Sequence, residues 1–261
     1  MAASHLLNWL KLPEASQIKN LDDPENIHLL RKIIHRKPFL HHIYTRFYQE
    51  ILNTIKTVPP DGAIVELGSG ASFLKKLAPH VITSDVLPYS GVDRVFSALD
   101  IPFADASVSA FVMVDVFHHV KDSRQFLKEM QRCLQGGGKV VMIEPANTAW
   151  SRFIYKNFHH EPFITTAGWG FEVGGPLSGA NMALPWIVFC RDRSLFQQEF
   201  PALKLGFVKI HTPFLYLLSG GLSLRQLLPS YCYPLICATE HMLGCLSPHL
   251  GMFMTIELEK V

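Results

Sequence analysis

The 261 residues are enough for one large domain or two small ones. Hydrophobic residues make up 48% of the chain and charged residues 18%, a balance that excludes disorder, collagen and coiled coil. Lysine and arginine (24) barely outnumber aspartate and glutamate (22), leaving a formal charge of +2, too little for a broad phosphate-tracking surface, so nucleic acid is not an expected partner.

The N-terminal MAASHLLNWLKLPE has neither a basic n-region nor a long apolar stretch, and no secretory signal is expected. Five cysteines, Cys133, Cys190, Cys232, Cys237 and Cys245, form no C-x-x-C pair. They read as reduced thiols, mostly buried, and point to a cytoplasmic protein. Asp23-Pro24-Glu25 opens a helical stretch with apolar residues at Ile27, Leu30, Ile34, Phe39, Ile43, Phe47 and Ile51, which Pro38 splits in two. Val58-Pro59-Pro60-Asp61-Gly62 stops it and divides the chain into an N-terminal helical segment, 1–57, and a larger domain, 58–261.

Beyond that point short apolar strands alternate with helices. Strands are predicted at 63–67, 81–84, 109–114 and 139–143, and helices at 72–78 and 123–134, the latter capped by Gly136-Gly137-Gly138. Continuously apolar strands alternating with helices indicate a parallel, doubly wound α/β sheet covered on both faces. After Pro145 the rhythm breaks, and two insertions, at about 148–190 and 212–250, flank a helix at 192–200 and a strand at 206–211. Alternation over 252–259 predicts a last strand. The apolar run near the C-terminus is interrupted by Pro213, Arg225, Pro229, Pro234, Glu240 and Pro248, and no segment reaches the roughly 20 apolar residues of a spanning helix.

Glu66-Leu67-Gly68-Ser69-Gly70 is a strand-to-helix turn that aims backbone N–H groups at a ligand. Alone it is a weak signal, also read as an ordinary tight turn. A nicotinamide-type fingerprint needs glycine at position 73, where Phe73 stands. Glu66 and Asp85 each close a strand at its carboxyl end, where open α/β sheets bind ligands, and Asp85 can accept from both hydroxyls of a ribose. Asp100 follows 15 residues later, in Leu99-Asp100-Ile101-Pro102-Phe103-Ala104-Asp105, and the next strand ends in Val114-Asp115-Val116-Phe117-His118-His119.

The ordered set E-L-G-S-G, S-D-V, D-I-P-F-A-D-A-S, V-D-V-F-H-H-V and G-G-G-K-V-V-M-I-E-P, spanning about 58–146, resembles the class I S-adenosylmethionine-dependent methyltransferases, in particular the type 11 group with quinone and sterol methyltransferases. The resemblance implies a Rossmann-like, seven-stranded sheet whose last strand is antiparallel, with N-terminal helices closing the cofactor site and the two insertions forming a substrate lid. It also implies S-adenosylmethionine as cofactor and S-adenosylhomocysteine as product. Glu66, Gly68, Ser69 and Gly70 would line the methionine part, Asp85 the ribose, and Val86, Asp100 and Ile101 the adenine, with Asp115 and Val116 beside the sulfonium. Ser72 departs from the third glycine that many members carry.

Three histidine pairs stand out: His41-His42, His118-His119 and His159-His160, the last followed by Glu161. His119, His160 and Glu161 are the candidate catalytic groups, as pocket-shaping or proton-accepting residues. No third ligand is spaced to complete a metal site, and none is expected. Aromatic residues crowd both insertions, which points to a small or lipid-like, apolar or amphipathic acceptor. Two alternatives are a noncatalytic cofactor-binding protein of the same fold and a nicotinamide-dependent oxidoreductase. Docking on a membrane surface through 213–236 is a variant of the main reading.

Overall fold

The computed structural model describes residues 10–14, 18, 20, 22–172 and 174–261. The helical stretch is divided as its proline requires: α1 (Asn26–Arg36) ends at Lys37, and α2 (Pro38–Thr54) starts with Pro38 in its first turn. Strand β1 (Ala63–Glu66) follows, then a single helical turn α3 (Leu74–Leu77), β2 (Ile82–Asp85), the two-residue β3 (Arg94–Val95) and β4 (Val108–Val114). Helix α4 (Ser123–Cys133) is started by the Asp122 carboxylate, which accepts the Gln125 N–H at 3.0 Å, and buries Phe126, Leu127, Met130 and Cys133 along one stripe.

The long β5 (Leu134–Pro145) begins directly after that helix. Here the structure corrects the sequence reading. The three glycines do not cap the helix, whose last turn is followed by extended Leu134. They lie inside β5, where a Cβ on Gly138 would come within 2.9 Å of the Gln135 carbonyl and 3.0 Å of that of Ser109. The β4–β5 pairing shifts register at this point, where a helix cap was expected. The predicted helix at 72–78 is likewise shorter, because Ser72 turns its hydroxyl to the Leu74 N–H and Phe73 is not helical.

Past β5 come α5 (Ala149–Phe158), α6 (Leu184–Trp186), α7 (Arg193–Glu199) and β6 (Leu203–His211). Then α8 (Leu215–Ser219), α9 (Tyr233–Met242) and α10 (Ser247–Leu250) lead to β7 (Phe253–Lys260). The seven strands are ordered β3-β2-β1-β4-β5-β7-β6, with β7 antiparallel to both of its neighbours and the other pairings parallel. This is the Rossmann-like mixed sheet expected. Its centre is dry: Ala110, Phe111 and Val112 of β4 and Val140 to Ile143 of β5 are fully buried.

Chain order fixes where a ligand can sit. From β1 the chain moves outward to β2 and β3, then returns to β4 on the other side of β1, so a crevice opens at the carboxyl ends of β1 and β4. Helices α1 and α2 cover it. Arg31 of α1 donates to the Gly70 carbonyl at 3.1 Å, and His41 of α2 stacks on Phe73 with ring centroids 4.7 Å apart. The segment before α1 is tied to both late connections. The Leu12 N–H donates to the Ser223 carbonyl, and the Asp22 carboxylate accepts from the Leu177 and Ser178 N–H groups at 2.7 and 3.1 Å.

Among the described residues no helix is long and apolar enough to cross a membrane. Of the five cysteines only Cys133 is buried. Tyr231 (82% exposed), Leu235 and Met242 (81% exposed) leave apolar side chains in solvent on and just before α9.

Candidate active site

The crevice is one cavity of about 780 Å³, within the range of small-molecule sites. At one end is the glycine turn. Gly68 has φ +61°, and a Cβ there would sit 2.5 Å from Val116 Cγ2, so only glycine lets the turn pass this close to the β4 end. Glu66 points from β1 under the turn, where the Ser69 and Ser72 hydroxyls donate to it at 2.9 and 2.6 Å. Burial raises its carboxyl to about 7 against the pull of those hydroxyls. Ser72, a departure from a glycine pattern in the sequence, thus has a partner of its own.

Asp85 ends β2 and is buried. It accepts the Gly70 N–H at 2.9 Å and the Leu87 N–H at 3.0 Å, which fixes its carboxylate against the turn. Burial raises its pKa, and these backbone donors oppose the shift. Val86, 43% exposed, extends the wall. Asp100 and Ile101 do not line the cavity: Asp100 is exposed, and Ile101 is buried with its N–H donated to Glu129 Oε2. Ser97, Ala98 and Leu99 form the wall in their place. The D-I-P run marked the right loop, but Arg132 ties it down through the Ile101 and Phe103 carbonyls, so the residues just before it face inward.

Asp115 sits at the middle, with φ +56°, a conformation rare outside glycine and found at constrained sites. Tyr44 of α2 donates its hydroxyl to Asp115 at 3.3 Å, and burial raises the Asp115 carboxyl to about 7. Val116 follows it on the cavity wall.

The remaining polar groups of the cavity gather around His118 and Glu161. Glu144, fully buried at the end of β5, accepts the Val116 and Phe117 N–H groups at 2.9 and 2.7 Å and meets His118 Nδ1 at 2.7 Å. His118 Nε2 lies 3.4 Å from Glu161 Oε2, and His119 Nε2 lies 3.9 Å from Glu161 Oε1. His119 Nδ1 is 2.8 Å from the Gly179 carbonyl. His160, more than half exposed, approaches Glu161 at 3.6 Å. Burial alone would lower the His118 pKa, but its bonds to Glu144 and Glu161 raise it to about 10. Burial and the neighbouring His118 lower His119 to about 4, and His118 holds Glu161 down at about 2 despite burial. Tyr155, Met182, Tyr216 and Leu222 also line the cavity.

The fold thus brings His119, His160 and Glu161 together with Glu66, Gly68, Ser69, Gly70, Asp85, Val86, Asp115 and Val116 around one cavity. His118, noted in the sequence with its neighbour, also lines it, and Glu144 and Tyr44 complete it without having been singled out. A glutamate closing the otherwise apolar strand Val140-Val141-Met142-Ile143-Glu144 was the available signal. Asn181 is buried, accepts the Ile164 and Ala183 N–H groups and donates to the Ile164 carbonyl, so it braces the loop above the site.

Residues 68–142 match the family model of a methyltransferase domain. That stretch is similar to the methyltransferase domains of the class I, type 11 group. It is 29% identical over 153 residues to a demethylmenaquinone methyltransferase of Thermotoga maritima, covering 52% of this chain and 64% of that protein. It is 39% identical over 66 residues to a ubiquinone/menaquinone biosynthesis C-methyltransferase of Geotalea daltonii, covering 25% of this chain and 27% of that one. The chain therefore spans less than two thirds of either relative. The fold of a Streptomyces coelicolor geranyl diphosphate C-methyltransferase, solved with Mg2+, geranyl diphosphate and S-adenosyl-L-homocysteine, is similar. Its TM-score is 0.52 at 15% identity, covering 93% of this chain and 89% of that one.

Proposed function

We propose that this domain binds S-adenosylmethionine at the glycine-turn end of the cavity. It transfers the methyl group to a small or lipid-like, apolar or amphipathic acceptor at the other end, leaving S-adenosylhomocysteine. The observation that carries this reading is a single cavity joining the glycine cradle and Asp85 to an aromatic and histidine-lined far end past Asp115. The residues fit the cofactor. Gly68 leaves space that a side chain would fill, Asp85 offers a fixed carboxylate for ribose hydroxyls, and Glu66 and Asp115 favour a cation at either side of the turn. Val86, with Ser97, Ala98 and Leu99, supplies the wall for the base.

When bound, S-adenosylmethionine supplies a methyl group made electrophilic by its cationic sulfur. The chain has then mainly to align an acceptor atom roughly 3 Å from that carbon and to exclude water. Tyr155, Tyr216, Met182 and Leu222 shape an apolar seat, and Glu161, His119 and His160 face the acceptor's polar atom as the catalytic groups. A carbonyl can only accept, so His119 carries its proton on Nδ1 and offers Nε2 as an acceptor. An acceptor end walled off by side chains would have favoured the noncatalytic alternative; instead the cavity continues there. The names of the two curated relatives, both quinone-pathway methyltransferases, support a lipid-like acceptor.

The test is transfer of labelled methyl groups from S-adenosylmethionine to a panel of prenylated phenols and quinols, set against water-soluble amines and peptides. Label is expected in the organic phase. Label confined to peptide or amine products would overturn the acceptor class.

A further inference from the structure

His118, His119 and Glu161 have a property that acceptor binding leaves unused. One ligand-capable atom from each lies within 4.8 Å of the others, at the cavity wall. We propose that these three residues form a binding site for one divalent transition cation of the zinc type, ligated by both imidazole Nε2 atoms and the Glu161 carboxylate. The sequence concealed it because His119 and Glu161 lie 42 positions apart, and only the packing of the loop after α5 against the segment following β4 joins them.

Three observations carry the site. The two carboxylate-to-imidazole distances, 3.4 and 3.9 Å, are close to the roughly 3.3 Å between two ligands that are each about 2.0–2.1 Å from a tetrahedral ion. The two distances run to different Glu161 oxygens, and all three ligand atoms lie within 4.8 Å of one another, so binding an ion draws them together. Both histidines are also held from behind through Nδ1, His118 by the Glu144 carboxylate at 2.7 Å and His119 by the Gly179 carbonyl at 2.8 Å. Metal-binding histidines nearly always have their other ring nitrogen held in this way, which fixes the tautomer and aims the lone pair. Glu144 is itself locked by the Val116 and Phe117 N–H groups, so the support is rigid. Finally, three protein ligands face an open cavity, the arrangement of a site that keeps a coordination position for water or substrate. Two imidazoles and one carboxylate favour zinc, cobalt or nickel over magnesium, which prefers oxygen alone.

The ion site stands on this geometry by itself; its use rests on the methyl-transfer reading. With an ion present, His119 becomes a ligand instead of a proton acceptor. The acceptor's polar oxygen takes the open position, and His160, at the rim, is left to receive a proton.

Tag-free, full-length protein stripped with chelator is titrated with Co2+ and, separately, with Zn2+. One Co2+ per chain is expected, with a visible absorption band that Zn2+ abolishes by displacement. His119→Ala and Glu161→Gln should each weaken binding at least about tenfold, and Glu144→Gln, which touches no ion, by about 10–100-fold. No stoichiometric binding of either ion, or binding that all three variants leave at wild-type affinity, overturns the site. If Glu144→Gln does not fold, the Glu161→Gln result decides. S-adenosylhomocysteine binding is measured on the same samples: its loss would sink the methyl-transfer reading while leaving the ion site standing, and the reverse holds equally.

Discussion

The two ends of the cavity are built in opposite ways. From the glycine turn to the middle of the cavity, Glu66, Asp85 and Asp115 are the last or next residues of strands β1, β2 and β4, so three adjacent parallel strands deliver three carboxylates to one edge. At the acceptor end, the wall is gathered from α5, the loop after it, the loop around Gly179, and the connection between β6 and β7. A sheet edge is a local device whose parts are fixed by strand pairing. A wall of distant loops exists only once the whole chain has packed. The difference teaches where each can be broken: the first by single side chains, the second through the contacts that join it to the core.

Phe117 makes one of those contacts. Fully buried, it meets Phe126 of α4 and Phe189 of the late connection, each with centroids 5.2 Å away. Phe117→Ala should cost about 3–5 kcal/mol in urea unfolding. A cost below about 1 kcal/mol would mean that the two regions are not joined here.

Glu66 probes the sheet edge alone. Its folded carboxyl is raised from 4.5 to about 7, so the protonated form is the one that folding favours. That contribution is complete below pH 4.5 and is lost as pH rises through 7, by up to about 3 kcal/mol. Glu66→Gln, free of cofactor, should remove this slope and be the more stable protein above pH 7. Parallel stability curves for the two proteins between pH 4.5 and 8 would contradict it.

Asp22 latches the N-terminal segment to residues 177 and 178 through two backbone donors and the Ser178 hydroxyl. Asp22→Ala should cost only about 1 kcal/mol in stability but speed amide exchange at 177–178, with residues 63–66 unaffected. Smaller still is the effect of Tyr231→Ser, Leu235→Ser and Met242→Ser together. These exposed groups should leave stability within about 0.5 kcal/mol, and vesicle sedimentation of the two proteins tests the membrane variant directly.

What could be read from the sequence follows the same division. Strands at 63–67, 81–84, 109–114 and 139–143 lie within a few residues of β1, β2, β4 and β5, because continuous apolar runs bounded by glycine and proline have few other uses. Strand β3 escaped notice: two residues, both exposed, carry no pattern. The glycine triplet misled because glycine both caps helices and allows close backbone approach, and only the neighbouring Ser109 decides between the two. At the site, the carboxylates at strand ends were legible from position. The pairing of His118 and His119 with Glu161 was not, since nothing local links them. Glu144 showed only as a glutamate closing an apolar strand; its partners, three backbone donors that follow a different strand, were not legible.

The measurement that bears most directly on the central claim is calorimetric titration of the wild-type protein and Asp85→Ala with S-adenosylmethionine and S-adenosylhomocysteine. The account predicts one site per chain for both ligands, and a loss of about 1.5–3 kcal/mol in Asp85→Ala as the charged partner of the ribose is removed. Absence of binding to the wild-type protein, or equal affinity in the variant, would contradict it.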